Sequence, residues 1–190
     1  MIKTIYSLAF TFGMKDWKLE GTPPELLDTV KELEPGKALD LGCGEGEHAI
    51  ALAKLGWHVT GVDFVKKAIL SAEEGASKLG LGDRALFLVG DVAKLDALNL
   101  PLFDFAFDIG CFHLLKQKDQ IAYIRGLSTV VKKSGLYLLY AFTPRKSGGR
   151  QVGFYQEYLE QIFSPGFSLE KSSEKTYWRF PACWYWFRRN

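Results

Sequence analysis

The chain has 190 residues, of which 47% are hydrophobic and 24% are charged, as is ordinary for a globular protein with a sizeable core. Its net charge of +2 is too small to indicate nucleic-acid binding, and its three cysteines are too few for a disulfide framework or a zinc site. No apolar run reaches the roughly 20 residues of a membrane span, and the apolar N-terminus has no convincing cleavage site. We therefore expect a cytoplasmic protein that binds no nucleic acid, no membrane and no metal.

A helix with capping signals opens the pattern at residues 21–33. Thr22 is expected to cap this helix, Pro23 suits its first position, and Glu25 completes a capping box. Strands and helices then alternate. Strands are expected at 37–42, 57–63, 84–89, 102–110 and 136–142, and helices at 47–56, 64–80 and 118–135. This alternation indicates a parallel sheet with helices on both faces.

The later part of the chain departs from this alternation. The helix at 118–135 is expected to bury Ile121, Ile124, Leu127 and Val131 and to end at Gly135. Residues 143–153 have the composition of a linker, and a short helix is expected at 154–163. Two strands follow at 167–174 and 184–190 with no helix between them, which predicts an antiparallel pair at the sheet edge. The aromatic run at 184–187 covers the sheet or forms a dimer contact, and we expect the sheet.

Three glycines follow the first strand in the stretch "LGCGEGE". A dinucleotide site requires G-x-G-x-x-G, so that the pyrophosphate reaches a helix N-terminus. Here the third glycine comes one residue early, and Glu45 and Glu47 place negative charge beside the turn. This pattern disfavours a pyrophosphate and favours a ligand that carries a cation. A nicotinamide-dependent oxidoreductase stays open as the alternative.

The stretch "LDLGCGEG", followed by "VTGVD" with its acid at Asp63, resembles motif I and the second-strand acid of class I S-adenosylmethionine-dependent methyltransferases. The resemblance runs from about residue 17 to 190. It implies a doubly wound, Rossmann-like α/β fold with seven mostly parallel strands, an antiparallel C-terminal strand and helices on both faces. It also implies S-adenosyl-L-methionine as the cofactor and S-adenosyl-L-homocysteine as its product.

The resemblance assigns cofactor contacts to matching positions. The turn at Asp40, Gly42, Gly44 and Gly46 would shape the pocket for the methionine part. Asp63 would accept both ribose hydroxyls. The remaining contacts are expected at the adenine (Phe64, Asp91, Val92), at the methionine and sulfonium (Asp108, Cys111) and near the cofactor (Trp17). The alternatives are that Asp63 and Asp91 cap helices and that Phe64 and Cys111 pack in the core.

Methyl transfer needs few catalytic side chains, because alignment of the reactants supplies most of the acceleration. The segment "DIGCFHLL" after the fourth strand offers Asp108 and His113 as candidates to accept a proton or contact the substrate. His113 has an unperturbed pKa near working pH. The alternative is that His113 caps or packs at the start of the next segment.

The acceptor is expected to be a small molecule. An N-P-P-Y-like motif of exocyclic-amine methyltransferases is missing after the fourth strand, and the segments left for an acceptor pocket are short and aromatic. The stretches "DWKLEGTPPELL", near the N-terminus, and "DIGCFHLL" resemble small-molecule thiol, thiopurine, halide and tellurite methyltransferases. On the loop, Arg145, Lys146 and Arg150 attract an anionic acceptor or form a solvated rim. A protein or RNA methyltransferase and a non-catalytic S-adenosylmethionine-binding module stay open.

We expect a single methyltransferase domain over residues 1–190. Residues 1–35 would form a cap, 36–142 the cofactor-binding core, and 143–190 the substrate loop, a helix and the C-terminal strand pair. The protein is expected to be a monomer or a homodimer.

Overall fold

A computed structural model describes residues 21–147, 150–175 and 181–190. Trp17 and most of the expected cap at 1–35 lie outside the described residues. The chain divides into two compact units, Met1–Val92 and Ala93–Asn190.

The first unit alternates helices and parallel strands. Its elements are α1 (Pro24–Lys31), β1 (Lys37–Leu41), α2 (Glu47–Lys54), β2 (His58–Asp63), α3 (Lys66–Lys78) and β3 (Ala85–Val89). Strand β2 pairs in parallel with β1 on one side and with β3 on the other, and Asp63 lies opposite Val89. Because the strands are parallel, their carboxyl ends lie along one edge, where ligands bind in open α/β sheets.

The second unit combines parallel and antiparallel strands. Its elements are β4 (Phe103–Ile109), a 3-10 turn (Phe112–Leu114), α4 (Gln117–Val130), β5 (Val131–Phe142), β6 (Arg145–Ser147), β7 (Arg150–Val152), α5 (Gln156–Phe163), β8 (Phe167–Glu174) and β9 (Ala182–Arg189). A second 3-10 segment, Val92–Ala97, precedes β4. Strands β4 and β5 are parallel, and β9 pairs antiparallel with both β5 and β8.

The seven strands of the main sheet follow the order β3-β2-β1-β4-β5-β9-β8. The last strand in the chain, β9, is thus inserted antiparallel between β5 and β8. This order confirms the predicted Rossmann-like sheet of seven mostly parallel strands.

The start of α1 differs from the prediction. The N-cap is Pro23 and the helix begins at Pro24, with no side-chain hydrogen bond at the cap. The ring of Pro24 disfavours helical dihedrals in the residue before it, and Pro23 indeed has an extended ψ of 141°. The Thr22 cap and the capping box with Glu25 are therefore wrong.

The predicted boundary between the fourth long helix and the fifth strand is also wrong. Helix α4 ends at Val130, and β5 begins at Val131, which pairs with Phe103. Val131 therefore belongs to the sheet, and Gly135 lies inside the strand. The helix buries Tyr123 instead of Ile121, which is 62% exposed. Pairing with β4 overrides the helical pattern of the local sequence.

The linker predicted at 143–153 is an antiparallel hairpin, in which Arg145 pairs with Val152. At the far end of the chain, the aromatic run Trp184–Phe187 is buried in β9. This strand lies between two others and not at the edge, and its side chains from Ala182 to Phe187 are buried on both faces. The edge position belongs to β8, whose side chains are mostly exposed.

Candidate functional site

The glycine turn after β1 has three left-handed positions in five residues. The φ angles are 78° at Gly42, 53° at Gly44 and 76° at Gly46, a region that residues with a Cβ rarely adopt. The Gly42 N–H donates to the Val62 carbonyl over 2.8 Å, and the Gly46 N–H donates to the Cys43 carbonyl over 2.9 Å. The turn is thus tied to β2 and leads directly into α2.

Packing around Gly46 leaves no room for a side chain. A Cβ at this position would lie 2.6 Å from two ring atoms of Phe87 and 2.9 Å from the Cβ of Ala72. The helix that follows the turn therefore lies close against the sheet and α3 only because residue 46 is glycine.

Gly46→Ala is expected to lower the free energy of unfolding by about 3 kcal/mol, since the clash and the left-handed φ add to each other. Gly82→Ala is the matched control, because nothing lies within 4 Å of a Cβ at Gly82. Urea unfolding of both variants measures the effect. Equal unfolding midpoints for the two variants would show that the turn tolerates a Cβ.

Asp63 ends β2 and is buried. The Gly44 N–H donates to its Oδ2 over 3.0 Å, and the Val65 N–H donates to its Oδ1 over 2.8 Å. Burial raises the pKa of this carboxyl, while the backbone hydrogen bonds oppose the rise. The side chain thus joins the turn before α3 to the glycine turn, while α3 itself has no side-chain hydrogen bond at its N-cap, Val65. Each oxygen keeps a further lone-pair direction for another donor.

The other predicted cofactor residues of the first unit lie at the same strand ends. Asp40 is buried in β1, one residue before its end. Phe64 follows β2 and is half-buried. Asp91 is half-buried between β3 and the buried Val92. The structure thus brings the acids of three successive strands to one edge of the sheet.

Asp108 lies near the end of β4 with no exposed surface. It accepts hydrogen bonds from the Cys111 N–H over 2.8 Å, from the Phe112 N–H over 3.0 Å and from the Tyr123 hydroxyl over 2.9 Å. The Tyr123 hydroxyl also lies 2.9 Å from that of Tyr137. Its carboxylate is enclosed by these donors, so Asp108 is not placed to take a proton from an acceptor. This enclosure disfavours the catalytic role of Asp108, which stays a prediction.

Burial sets the charge state of this cluster. It raises the pKa of Asp108 to about 7, against the lowering effect of its hydrogen-bond donors. Burial also raises the pKa of Tyr123 and of Tyr137 well above the usual value. Both hydroxyls therefore stay protonated and can donate. The hydrogen bonds of Asp108 and Tyr123 hold the turn that carries Cys111 and His113 in place.

His113 stacks on the ring of Phe142, with ring centroids 4.2 Å apart. Burial and, to a smaller extent, the positive charge of Arg145 together lower the pKa of His113 to about 4. The imidazole is therefore neutral at neutral pH and a weak base. Packing holds the ring, as the alternative interpretation stated, yet its Nδ1 has no hydrogen-bond partner among the described residues.

Sequence reasoning missed Tyr123, Tyr137 and Phe142 as residues that shape the end of β4. Tyr123 lies on a helix 15 residues after Asp108. Its position in the apolar pattern of that helix is that of an ordinary core aromatic residue. The one signal was an acid in an otherwise apolar strand, since a buried carboxylate requires donors.

In the described ranges, no group of three or more histidine, cysteine, aspartate or glutamate residues is arranged to hold a metal ion. Cys43, Cys111 and Cys183 form no disulfide bonds. Among the described helices, none combines the length and apolarity needed to cross a bilayer.

The sheet has this strand order, a glycine turn after its first strand and an acid at the end of its second. These features are typical of class I S-adenosylmethionine-dependent methyltransferases. The sequence profile of a family described as a methyltransferase domain matches residues 38–135. The chain therefore belongs to this family of enzymes, whose cofactor is S-adenosyl-L-methionine. The nicotinamide alternative is thereby set aside.

Similar proteins agree with this assignment. An uncharacterized methyltransferase of Schizosaccharomyces pombe is 32% identical over 105 residues, covering 55% of this chain and 70% of the relative. A demethylmenaquinone methyltransferase of Bacillus cytotoxicus is 30% identical over 158 residues, covering 78% of this chain and 63% of the relative. The structure of 1,6-didemethyltoxoflavin-N1-methyltransferase of Burkholderia thailandensis, with bound S-adenosylhomocysteine, has a TM-score of 0.83 at 20% identity, covering 100% of this chain and 87% of that one.

Proposed function

We propose that the chain transfers the methyl group of S-adenosylmethionine to a small-molecule acceptor, with the cofactor bound by the turn and acids at the strand ends of the first unit. The observation that carries this proposal is the Gly44–Asp63 hydrogen bond, which joins the glycine turn to the second-strand acid. This hydrogen bond fixes the conformation of the turn. Each Asp63 oxygen still has a lone pair that can accept a hydrogen bond from the cofactor.

The residues of the first unit fit the cofactor in charge and shape. Asp63 accepts the two ribose hydroxyls, and Phe64 lies against the adenine. The Asp91 carboxylate and the Val92 N–H recognise the adenine edge. Asp40 and the three glycines surround the methionine part, whose ammonium is attracted by the negative charge near the turn. Trp17 and the Cys111 backbone are proposed to complete this site.

The cofactor supplies a methyl group already activated on a sulfonium. The chain contributes binding and orientation, and exclusion of water from the reacting atoms. Asp108 acts as a positioning residue, because it holds the turn that carries His113. His113 is proposed to contact the acceptor.

A small acceptor is supported by two relatives whose names, demethylmenaquinone methyltransferase and 1,6-didemethyltoxoflavin-N1-methyltransferase, refer to small molecules. The mild net charge of +2 also disfavours a phosphate backbone as the partner. The cytoplasmic location, the monomeric or homodimeric state and the lack of a nucleic-acid partner stay predictions.

The test is methyl transfer from S-adenosylmethionine labelled in its methyl group. Small phenols, thiols, carboxylates and amines form one panel of acceptors, and total RNA and unfolded protein form the other. Label in the small-molecule fraction alone supports the proposal. Label in RNA or protein contradicts the small acceptor. Tight binding of S-adenosylhomocysteine with no transfer to any acceptor would favour a binding module.

A further inference from the structure

Two polar side chains of the second unit pack on one aromatic ring. The imidazole of His113 stacks on Phe142. The guanidinium carbon of Arg145 lies over the same ring, 5.2 Å from its centroid. Arg145 is also close enough to lower the pKa of His113 through its charge. A neutral imidazole and a fixed cation thus share one aromatic support.

The backbone holds Arg145 in place. The Phe154 N–H donates to the Phe142 carbonyl over 2.9 Å at the base of the β6–β7 hairpin. Gly153 follows the hairpin with a φ of 81°, and a Cβ there would lie 2.8 Å from the same carbonyl oxygen. Arg145 is the first residue of this hairpin and is half-buried, whereas its neighbour Lys146 is exposed. The Arg145 side chain is therefore part of a packed surface.

His113 contributes a polar atom that needs a partner. Its Nδ1 is buried, and no described residue makes a hydrogen bond to it. An unsatisfied buried group of this kind destabilises the folded protein. A bound molecule that pairs with Nδ1 recovers this cost. Since the ring is neutral, it can donate one hydrogen bond to an anion, with the proton on Nδ1.

We infer that His113 and Arg145 form the acceptor subsite, and that the acceptor is a small organic acid bound as its anion: a carboxylate, an acidic phenolate or a thiolate. This inference rests on the proposed function and adds the substrate class. The guanidinium supplies charge-assisted hydrogen bonds that a neutral acceptor cannot match. A neutral alcohol is a poor substrate here, because a histidine with a pKa of about 4 is too weak a base to take its proton.

The transfer balances without a base. The anionic oxygen or sulfur of the acceptor forms a bond to the methyl carbon, and the bond from that carbon to the sulfonium sulfur breaks with its electron pair kept by sulfur. No proton leaves in this step, since the acceptor has already lost its proton to solvent.

Calorimetric titration of the protein loaded with S-adenosylhomocysteine tests the inference. The probes are three anions (benzoate, 4-nitrophenolate and 4-nitrothiophenolate) and two neutral isosteres (benzamide and 4-nitroaniline), at about pH 8, where the three acids are mostly ionised and the isosteres are neutral. We expect at least one anion to bind at least tenfold more tightly than its isostere. The variant Arg145→Gln should lose that preference, and Arg145→Lys should restore part of it. Lys133→Gln, which removes an exposed charge elsewhere in the second unit, should change binding less than twofold.

Nuclear magnetic resonance gives an independent readout. The chain has three histidines, so the ring nitrogen signals are few and His113→Asn assigns that of residue 113. The anion should shift the His113 signal and leave those of His48 and His58 in place. No preference for the anion, including no binding of any probe, overturns the inference, as does a preference that survives Arg145→Gln. Failure of S-adenosylhomocysteine itself to bind would instead contradict the proposed function.

Discussion

Asp63→Ala is expected to weaken the binding of S-adenosylhomocysteine at least a hundredfold. The substitution removes the acceptor for both ribose hydroxyls, and two charge-assisted hydrogen bonds together contribute about 3 kcal/mol or more. It also leaves the Gly44 and Val65 N–H groups without their acceptor. Isothermal titration calorimetry of the purified variant measures the loss.

Two controls separate binding from folding in this experiment. Asp83→Ala removes an exposed aspartate of the same unit and should bind as the unsubstituted protein does. Asp63→Asn keeps one carbonyl oxygen for a backbone N–H and should fold, while it loses the negative charge that faces the ribose. Binding by Asp63→Asn within threefold of the unsubstituted protein would show that this acid does not contact the ribose.

Asp108→Ala is expected to destabilise the protein by on the order of 4 kcal/mol, because three buried donors lose their acceptor. These donors are the Cys111 and Phe112 N–H groups and the Tyr123 hydroxyl. Asp108→Asn is the matched variant, since its carbonyl oxygen accepts from the backbone and its amide donates to Tyr123. Urea unfolding at neutral pH should rank Asp108→Asn above Asp108→Ala. Equal stabilities would show that the cluster does not hold the turn.

The raised pKa of Asp108 predicts that the stability of the unsubstituted protein, compared with that of Asp108→Asn, depends on pH. Burial raises the pKa of Asp108 from 3.8 to about 7, so the folded state holds a proton that the unfolded chain releases. The unsubstituted protein should therefore lose stability relative to Asp108→Asn as the pH rises from about 4 to about 7, and the difference should level off above that. The full change is on the order of 4 kcal/mol. A difference in unfolding free energy that stays constant over this range would contradict the burial of an ionisable carboxyl.

The parts of the fold that the sequence predicts well are those specified by local chemistry. Gly42, Gly44 and Gly46 require left-handed dihedrals, and each β-strand that precedes a functional acid is a short apolar run. The strand-end position of Asp63 follows from the alternation of elements alone. Each of these features depends on residues adjacent in the chain, so a single sequence is enough to read them.

The features that the sequence did not predict depend on distant partners. Val131 leaves the helical pattern because Phe103 pairs with it across the sheet. Tyr123 faces inward, where its hydroxyl donates a hydrogen bond to Asp108. Arg145 belongs to a packed hairpin because Phe154 binds the end of β5. Local periodicity carries no information about such pairs. Two of them fix the turn that carries His113 and the hairpin that carries Arg145.

The insertion of β9 between β5 and β8 has a consequence for biosynthesis. On a ribosome β5 and β8 are made before β9, and β9 is the strand that pairs with both in the sheet. Until β9 emerges, two strand edges stay open to other chains, and unpaired edges promote aggregation. The nascent chain is therefore expected to be more prone to aggregation before β9 emerges than after it, and a premature stop before residue 182 would leave β8 without its place in the sheet.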